Sequence, residues 1–163
     1  MKVSKYILSI VCLSLMAFST FKNNEPTQKY KCMVQLKNYE GEGAYVIVSV
    51  VDKDDNYIKT LQILGDDDKW YPDLPKWWSF FETVKQPDTD AITGATIAGG
   101  ERSVFVFHLS ENDLNNGNKL RFETAVEHQD YHIKDLEVSL NPENLKNKYE
   151  GTGYIRYVRI LPN

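Results

Sequence analysis

The sequence predicts an all-β fold, an antiparallel immunoglobulin-like β-sandwich with one short helix. Three observations carry this. Runs of β-branched and aromatic residues recur along the chain between turn signals. Ten Tyr, seven Phe and three Trp enrich it in strand formers. No helical stretch is long enough to be the crossover that a parallel sheet needs. The 163 residues suit one domain, and 42% apolar against 26% charged residues is the composition of a chain that buries a core. The net charge is -4, which argues against nucleic acid as a partner, because phosphate neutralisation needs clustered Lys and Arg.

The elements follow in chain order. Lys2 and Lys5 precede an apolar run over residues 6–18, the charged and apolar parts of a secretory signal. Ala17 and Ser19 are the small residues of a cleavage site, so 1–19 is read as the signal peptide and 20–29, with Pro26, as a tether. The domain then spans 30–163, and its expected place is periplasmic. Cys12 lies in the leader, so Cys32 has no intramolecular partner after cleavage. Its alternating surroundings make it a small buried hydrophobe.

Strands are expected at 30–36, 44–51, 57–64, 103–109, 120–126, 133–140 and 154–161. Val46, Val48 and Val50 share one face of the second, and Leu120, Phe122 and Val126 one face of the fifth; these point inward. Asp52 to Asn56 turns the first hairpin, and 111–118 reads as a polar loop around Asn116-Gly117. Pro72 and Pro75 exclude a strand from the aromatic run at 69–84. They leave a short helix over 74–81 with Pro75 in its first turn.

No side chain is singled out as catalytic, and no metal site is expected. Asp52, Asp54 and Asn56 open like a calcium loop, but Tyr57 stands where that loop needs Gly and Ile63 where it needs Glu. His128 and His132 are four apart, a zinc spacing on a helix but not in a strand. The informative stretch is Asp90-Ala91-Ile92-Thr93-Gly94-Ala95-Thr96. It resembles the acceptor motif of extracytoplasmic flavin transferases, which link flavin mononucleotide (FMN) through a phosphoester to the last threonine. The resemblance implies covalent FMN on Thr96. Gly94 and Ala95 would leave room for the phosphate, while Asp90 and Thr93 would hold the turn through backbone hydrogen bonds. Trp70, Tyr71, Trp77 and Trp78 are candidates either to stack on the flavin ring or to pack where the helix meets the sandwich.

A second resemblance spans residues 45–140. Tyr45-Val46-x-Val48, Lys59-Thr60-Leu61, Lys69-Trp70-x-Pro72-Asp73-Leu74-x-x-Trp77-Trp78, the 90–96 motif, Glu127-His128 and Tyr131 occur in order. In these the chain resembles an uncharacterised family of predicted periplasmic bacterial proteins, a domain of unknown function. After Thr96 that family continues with an Arg-Pro-Pro-Gly-like run, where this chain has Ile97-Ala98-Gly99-Gly100. The resemblance implies a flavin transferase and a PepSY-type membrane redox protein as partners. The expected role is an electron carrier rather than an enzyme. The alternative is a non-catalytic immunoglobulin-like module docking to a membrane or envelope partner. The hairpin over 46–61, which is similar to immunoglobulin-like domains of flagellar hook-capping proteins, favours that alternative.

Overall fold

The computed structural model describes residues 26–84 and 88–163. The leader read at 1–19, and the tether up to residue 25, lie outside the described residues. Seven long strands stand where alternation placed them: β1 (Thr27–Leu36), β2 (Tyr45–Val51), β3 (Tyr57–Leu64), β5 (Arg102–Ser110), β6 (Lys119–Ala125), β7 (Tyr131–Ser139) and β9 (Ile155–Pro162). Two two-residue strands, β4 (Thr93–Gly94) and β8 (Lys148–Tyr149), join them. β1 takes in residues 27–29, which the sequence assigned to the tether. Their exposed side chains carry no apolar pattern, but Thr27 to Lys29 pair with Ser110 to His108.

The strands form two sheets, ordered β5-β1-β9-β8 and β4-β3-β2-β6-β7. Every pairing is antiparallel except β3 with β4. The sheets face each other over one apolar core, in which the predicted inward residues Val46, Val48, Val50, Leu120, Phe122 and Val126 are all buried. Cys32 lies in it as a free thiol, and burial pushes its pKa well above that of an exposed cysteine.

A second core lies outside the sandwich. β2 is buried along its whole length, because its other parity also meets a cover. Tyr45, Ile47, Ile63 and Ala125 pack beneath Tyr71, Leu74 and Trp77. The cover is the aromatic segment: a 3-10 turn at Asp68–Asp73 and helix α1 (Pro75–Phe81). The helix starts where proline permits, with Pro75 in the first turn after the Leu74 cap. Trp77 is fully buried, stacks on Phe81 at 4.6 Å, and donates its indole N–H to Thr60 Oγ1 at 3.0 Å. A near-continuous apolar strand is what a sheet covered on both faces requires.

The polar run at 111–118 is not all loop. Its first part is a one-turn helix, α2 (Glu111–Asn115), so the described residues hold two short α-helices rather than one. Ser110 Oγ accepts from the Asp113 N–H at 3.3 Å, and Asp113 Oδ2 accepts from the Ser110 N–H at 2.7 Å. This is a capping box with aspartate at its fourth position. Lys59, 2.6 Å from the same carboxylate, anchors α2 to β3.

Candidate functional site

The 90–96 motif lies at the edge of the five-stranded sheet. Its first half is a 3-10 turn, Thr89–Ile92, in which Thr93 Oγ1 donates to the Thr89 carbonyl at 2.8 Å. Thr93 and Gly94 then run parallel to Ile63 and Leu64 as β4, and the Gly65 N–H donates to Gly94 O at 2.6 Å. Beyond the motif, Ala44 and Ile97 exchange two backbone hydrogen bonds of 2.8 and 3.0 Å. The chain is thus pinned at 94 and at 97. Ala95 is exposed between the pins and Thr96 half-buried. Asp90 is exposed. Thr93 holds the turn through a carbonyl rather than an N–H.

Thr96 lines an open cleft of about 190 Å³ with Glu42, Gly43, Tyr45, Asp66, Asp67, Trp70 and Glu127. Gly43 passes so close that a Cβ there would overlap the Thr96 side chain. Gly99 similarly lies against the Tyr39 backbone, and Tyr39 donates to Ile97 O at 2.8 Å. The Ile97-Ala98-Gly99-Gly100 run is therefore built for close packing behind Thr96. Four carboxylates and one lysine set the charge at this cleft: Lys69 pairs with Asp67 at 2.7 Å and lies 5.2 Å from the Trp70 ring centre. The Tyr45 phenol is pushed up to about 12, first by burial and then by Asp67, Tyr71 and Asp66.

The four aromatic candidates divide. Trp70 lines the Thr96 cleft, with His128 edge-on at 6.0 Å. Tyr71 and Trp77 are buried in the second core, and half-buried Trp78 packs against both. Asp52 accepts from the backbone of Asp54 and Asn56, both at 2.8 Å, and so closes the β2–β3 hairpin turn. Among the described residues, no group of three or more His, Cys, Asp and Glu side chains is arranged to hold a metal ion.

A second cleft, of about 570 Å³, opens at the other end of the same sheet, where β2 turns into β3. Sequence reasoning missed it. Its lining includes Asp55, Tyr57, Lys76, Phe80, Arg121 and Lys134. Arg121 and Glu123 alternate with core residues of β6, which reads as a solvent face, yet α1 covers them: Arg121 is 2% exposed and Glu123 fully buried. Arg121 Nε donates to Glu137 Oε1 at 2.7 Å. Its Nη2 lies 2.8 Å from Asp55 and 2.7 Å from Glu137, so the guanidinium is clamped between two carboxylates. Asp55, at φ 68° in the turn, also binds Lys119 and Lys134. These cations hold its carboxyl well below the usual range, the Lys119 hydrogen bond foremost.

Behind this cluster Glu123 accepts from two phenols, Tyr57 at 2.6 Å and Tyr131. Burial pushes the Glu123 carboxyl up to about 7, and the hydrogen bonds only partly offset it. Burial and then Glu123 itself push both phenols above their ordinary value. No sequence motif marks this arrangement. The only signal is a charged residue at every second position of a strand opposite an aromatic helix.

No curated protein and no solved structure matches this chain. A family described as "Predicted periplasmic protein (DUF2271)" matches residues 27–157, which extends the 45–140 resemblance outward to β1 and into β9. With the whole five-stranded sheet and both clefts inside the matched region, the chain belongs to this family of predicted periplasmic proteins.

Proposed function

We propose that this periplasmic domain is a flavin-linked electron carrier with FMN joined covalently to Thr96. The observation that supports it is a threonine hydroxyl in an open cleft, on a segment pinned two residues before and one after, with the Trp70 indole in the same lining. A pinned, accessible hydroxyl is what a transferase must meet in a fixed geometry. In the reaction, Thr96 Oγ attacks the flavin-side phosphorus of a flavin dinucleotide donor. The new P–O bond forms as the bond to the nucleoside monophosphate breaks, and the hydroxyl proton leaves with a base of the transferase. No residue of this chain needs to act as acid or base. Its part is to present Thr96, cover one face of the ring with Trp70, and set the field around it. Glu42, Asp66, Asp67 and Glu127 place negative charge there, which opposes an anionic reduced flavin and lowers its potential. A flavin transferase and a PepSY-type membrane redox protein are the partners of this reading.

A second reading, the docking module, draws on the open face of the four-stranded sheet. There Val104 is 50% exposed, Val106 39% and Leu161 40%, with Val106 and Leu161 flanking Lys31 in register.

The test is co-expression of the exported protein with a flavin transferase, then mass spectrometry of the tryptic peptide spanning residues 86–102. Wild type is expected to gain the FMN mass. Thr96→Ala should lose it entirely while staying folded, and Thr93→Ala should retain part of it. An unmodified wild-type peptide, beside a control substrate that is flavinylated, leaves the docking module standing.

A further inference from the structure

We infer that the cleft over Arg121 binds a small planar anion, an aromatic or heteroaromatic ring that bears a phosphate or carboxylate. This site is independent of Thr96, which lies at the opposite end of the sheet.

Three features converge on that chemistry. The first is space: about 570 Å³ is within the range of small-molecule sites. The second is charge. Lys76, Arg121 and Lys134 line the cleft against the single carboxylate of Asp55, in a chain whose net charge is negative. Asp55 is already engaged with Lys119, Arg121 and Lys134. Lys76 is exposed and has no ion-pair partner among the described residues. An anion entering the cleft meets Lys76 over a cluster in which Lys119, Arg121 and Lys134 outnumber the carboxylates of Asp55 and Glu137. The third feature is the wall. Tyr57 and Phe80 stack at 5.3 Å and 17°, and the Arg121 guanidinium lies 5.5 Å from the Tyr57 ring centre. The far face of half-buried Phe80 is a platform for a further ring, and Lys76, one helical turn before it, is placed for the ring's anionic substituent.

The feature that makes the site is rigidity under a flexible cation. Arg121, Asp55 and Glu137 are interlocked and cannot close over the cleft without breaking ion pairs. Lys76 is the group free to reach a ligand.

The experiment is an NMR titration of the isotope-labelled protein with three probes: phenyl phosphate, inorganic phosphate and benzyl alcohol. Phenyl phosphate should give saturable shifts confined to residues 55–57, 76–80, 121 and 133–134, with a Kd on the order of 1 mM. Inorganic phosphate should bind at least about fivefold more weakly, and benzyl alcohol should not saturate. Lys76→Ala should weaken phenyl phosphate about fivefold. Phe80→Ala should weaken phenyl phosphate but leave inorganic phosphate unchanged. Both substitutions are outside the ion-pair cluster, so the fold is expected to survive them, and an unchanged spectrum away from the cleft checks this. The inference is overturned if phenyl phosphate gives no saturable shift, or shifts residues elsewhere. It is equally overturned if benzyl alcohol binds as well, or if neither variant changes the affinity.

Discussion

The clefts at the two ends of the five-stranded sheet share one wall, the aromatic segment from Asp68 to Phe81, and differ in how their charges are held. At Thr96 the carboxylates lie at a solvated mouth, with Lys69 pairing to Asp67 between side chains 64% and 46% exposed. At Arg121 a guanidinium 2% exposed is caught between Asp55 and Glu137, and Asp55 takes two lysines besides. Exposed pairs are screened by water and contribute little. A buried partner fixes a geometry, because its charge has nowhere else to go. The first cleft is therefore a surface whose charge acts on what arrives, and the second a preformed frame.

The largest expected effect breaks both clefts together. Trp77 is the fully buried side chain that ties their common wall to β3 through Thr60. Trp77→Ala should cost about 3–5 kcal/mol in urea unfolding. A loss below about 1 kcal/mol would mean that α1 is not a fixed wall and that neither cleft is preformed.

That dependence explains what could be read from the sequence. The inter-sheet core was legible: alternation alone placed Val46, Val48, Val50 and Phe122 inward, and Pro75 fixed the start of α1. The candidate at Thr96 could be singled out because its motif is contiguous. The second cleft was not, since it is assembled from β2–β3, α1, β6 and β7, and none of these elements signals the others. Alternation says which residues leave the sandwich core; it cannot say that a helix returns to cover them. Alternation therefore leaves Arg121 and Glu123 outside the sandwich core without saying what covers them. α2 was missed for a smaller reason, an aspartate at the capping-box position where glutamate is usual.

The next effect sharpens the difference by titration. The Glu123 carboxyl lies near 7 in the folded protein and near 4.5 when free, because burial disfavours its charge. Its protonated form is the one the fold prefers, so its contribution is fully present below 4.5 and lost as pH rises through 7. The loss is on the order of 3 kcal/mol. Glu123→Gln is neutral throughout and should not share it. Urea midpoints at pH 5 and pH 8 should diverge, with the variant gaining on wild type at the higher pH. Parallel behaviour would mean that Glu123 is ionised in the fold across this range.

The smallest effects set one ion pair from each cleft side by side. Asp55→Asn removes the carboxylate that joins Lys119, Arg121 and Lys134. Asparagine tolerates the positive φ of that turn position, so the backbone is not the variable. Lys69→Met removes the lysine at the mouth of the Thr96 cleft. If interlocking is the difference, Asp55→Asn should clearly lower the melting temperature at pH 7, while Lys69→Met should stay within about 1 °C. The pH dependence separates them further. The Asp55 carboxyl is held below its free value of 3.8, so its contribution is present above 3.8 and lost as pH falls below it. The gap between wild type and Asp55→Asn should therefore narrow in acid, opposite in sign to the effect of Glu123, which bonds Tyr57 of the same cleft. Added salt should erase any Lys69 effect but only part of the Asp55 effect, because Asp55 itself is 40% exposed while the Arg121 guanidinium it meets is 2% exposed. Equal responses of the two variants to salt and acid would show that the Arg121 frame is solvated like the other mouth, and no more preformed than it.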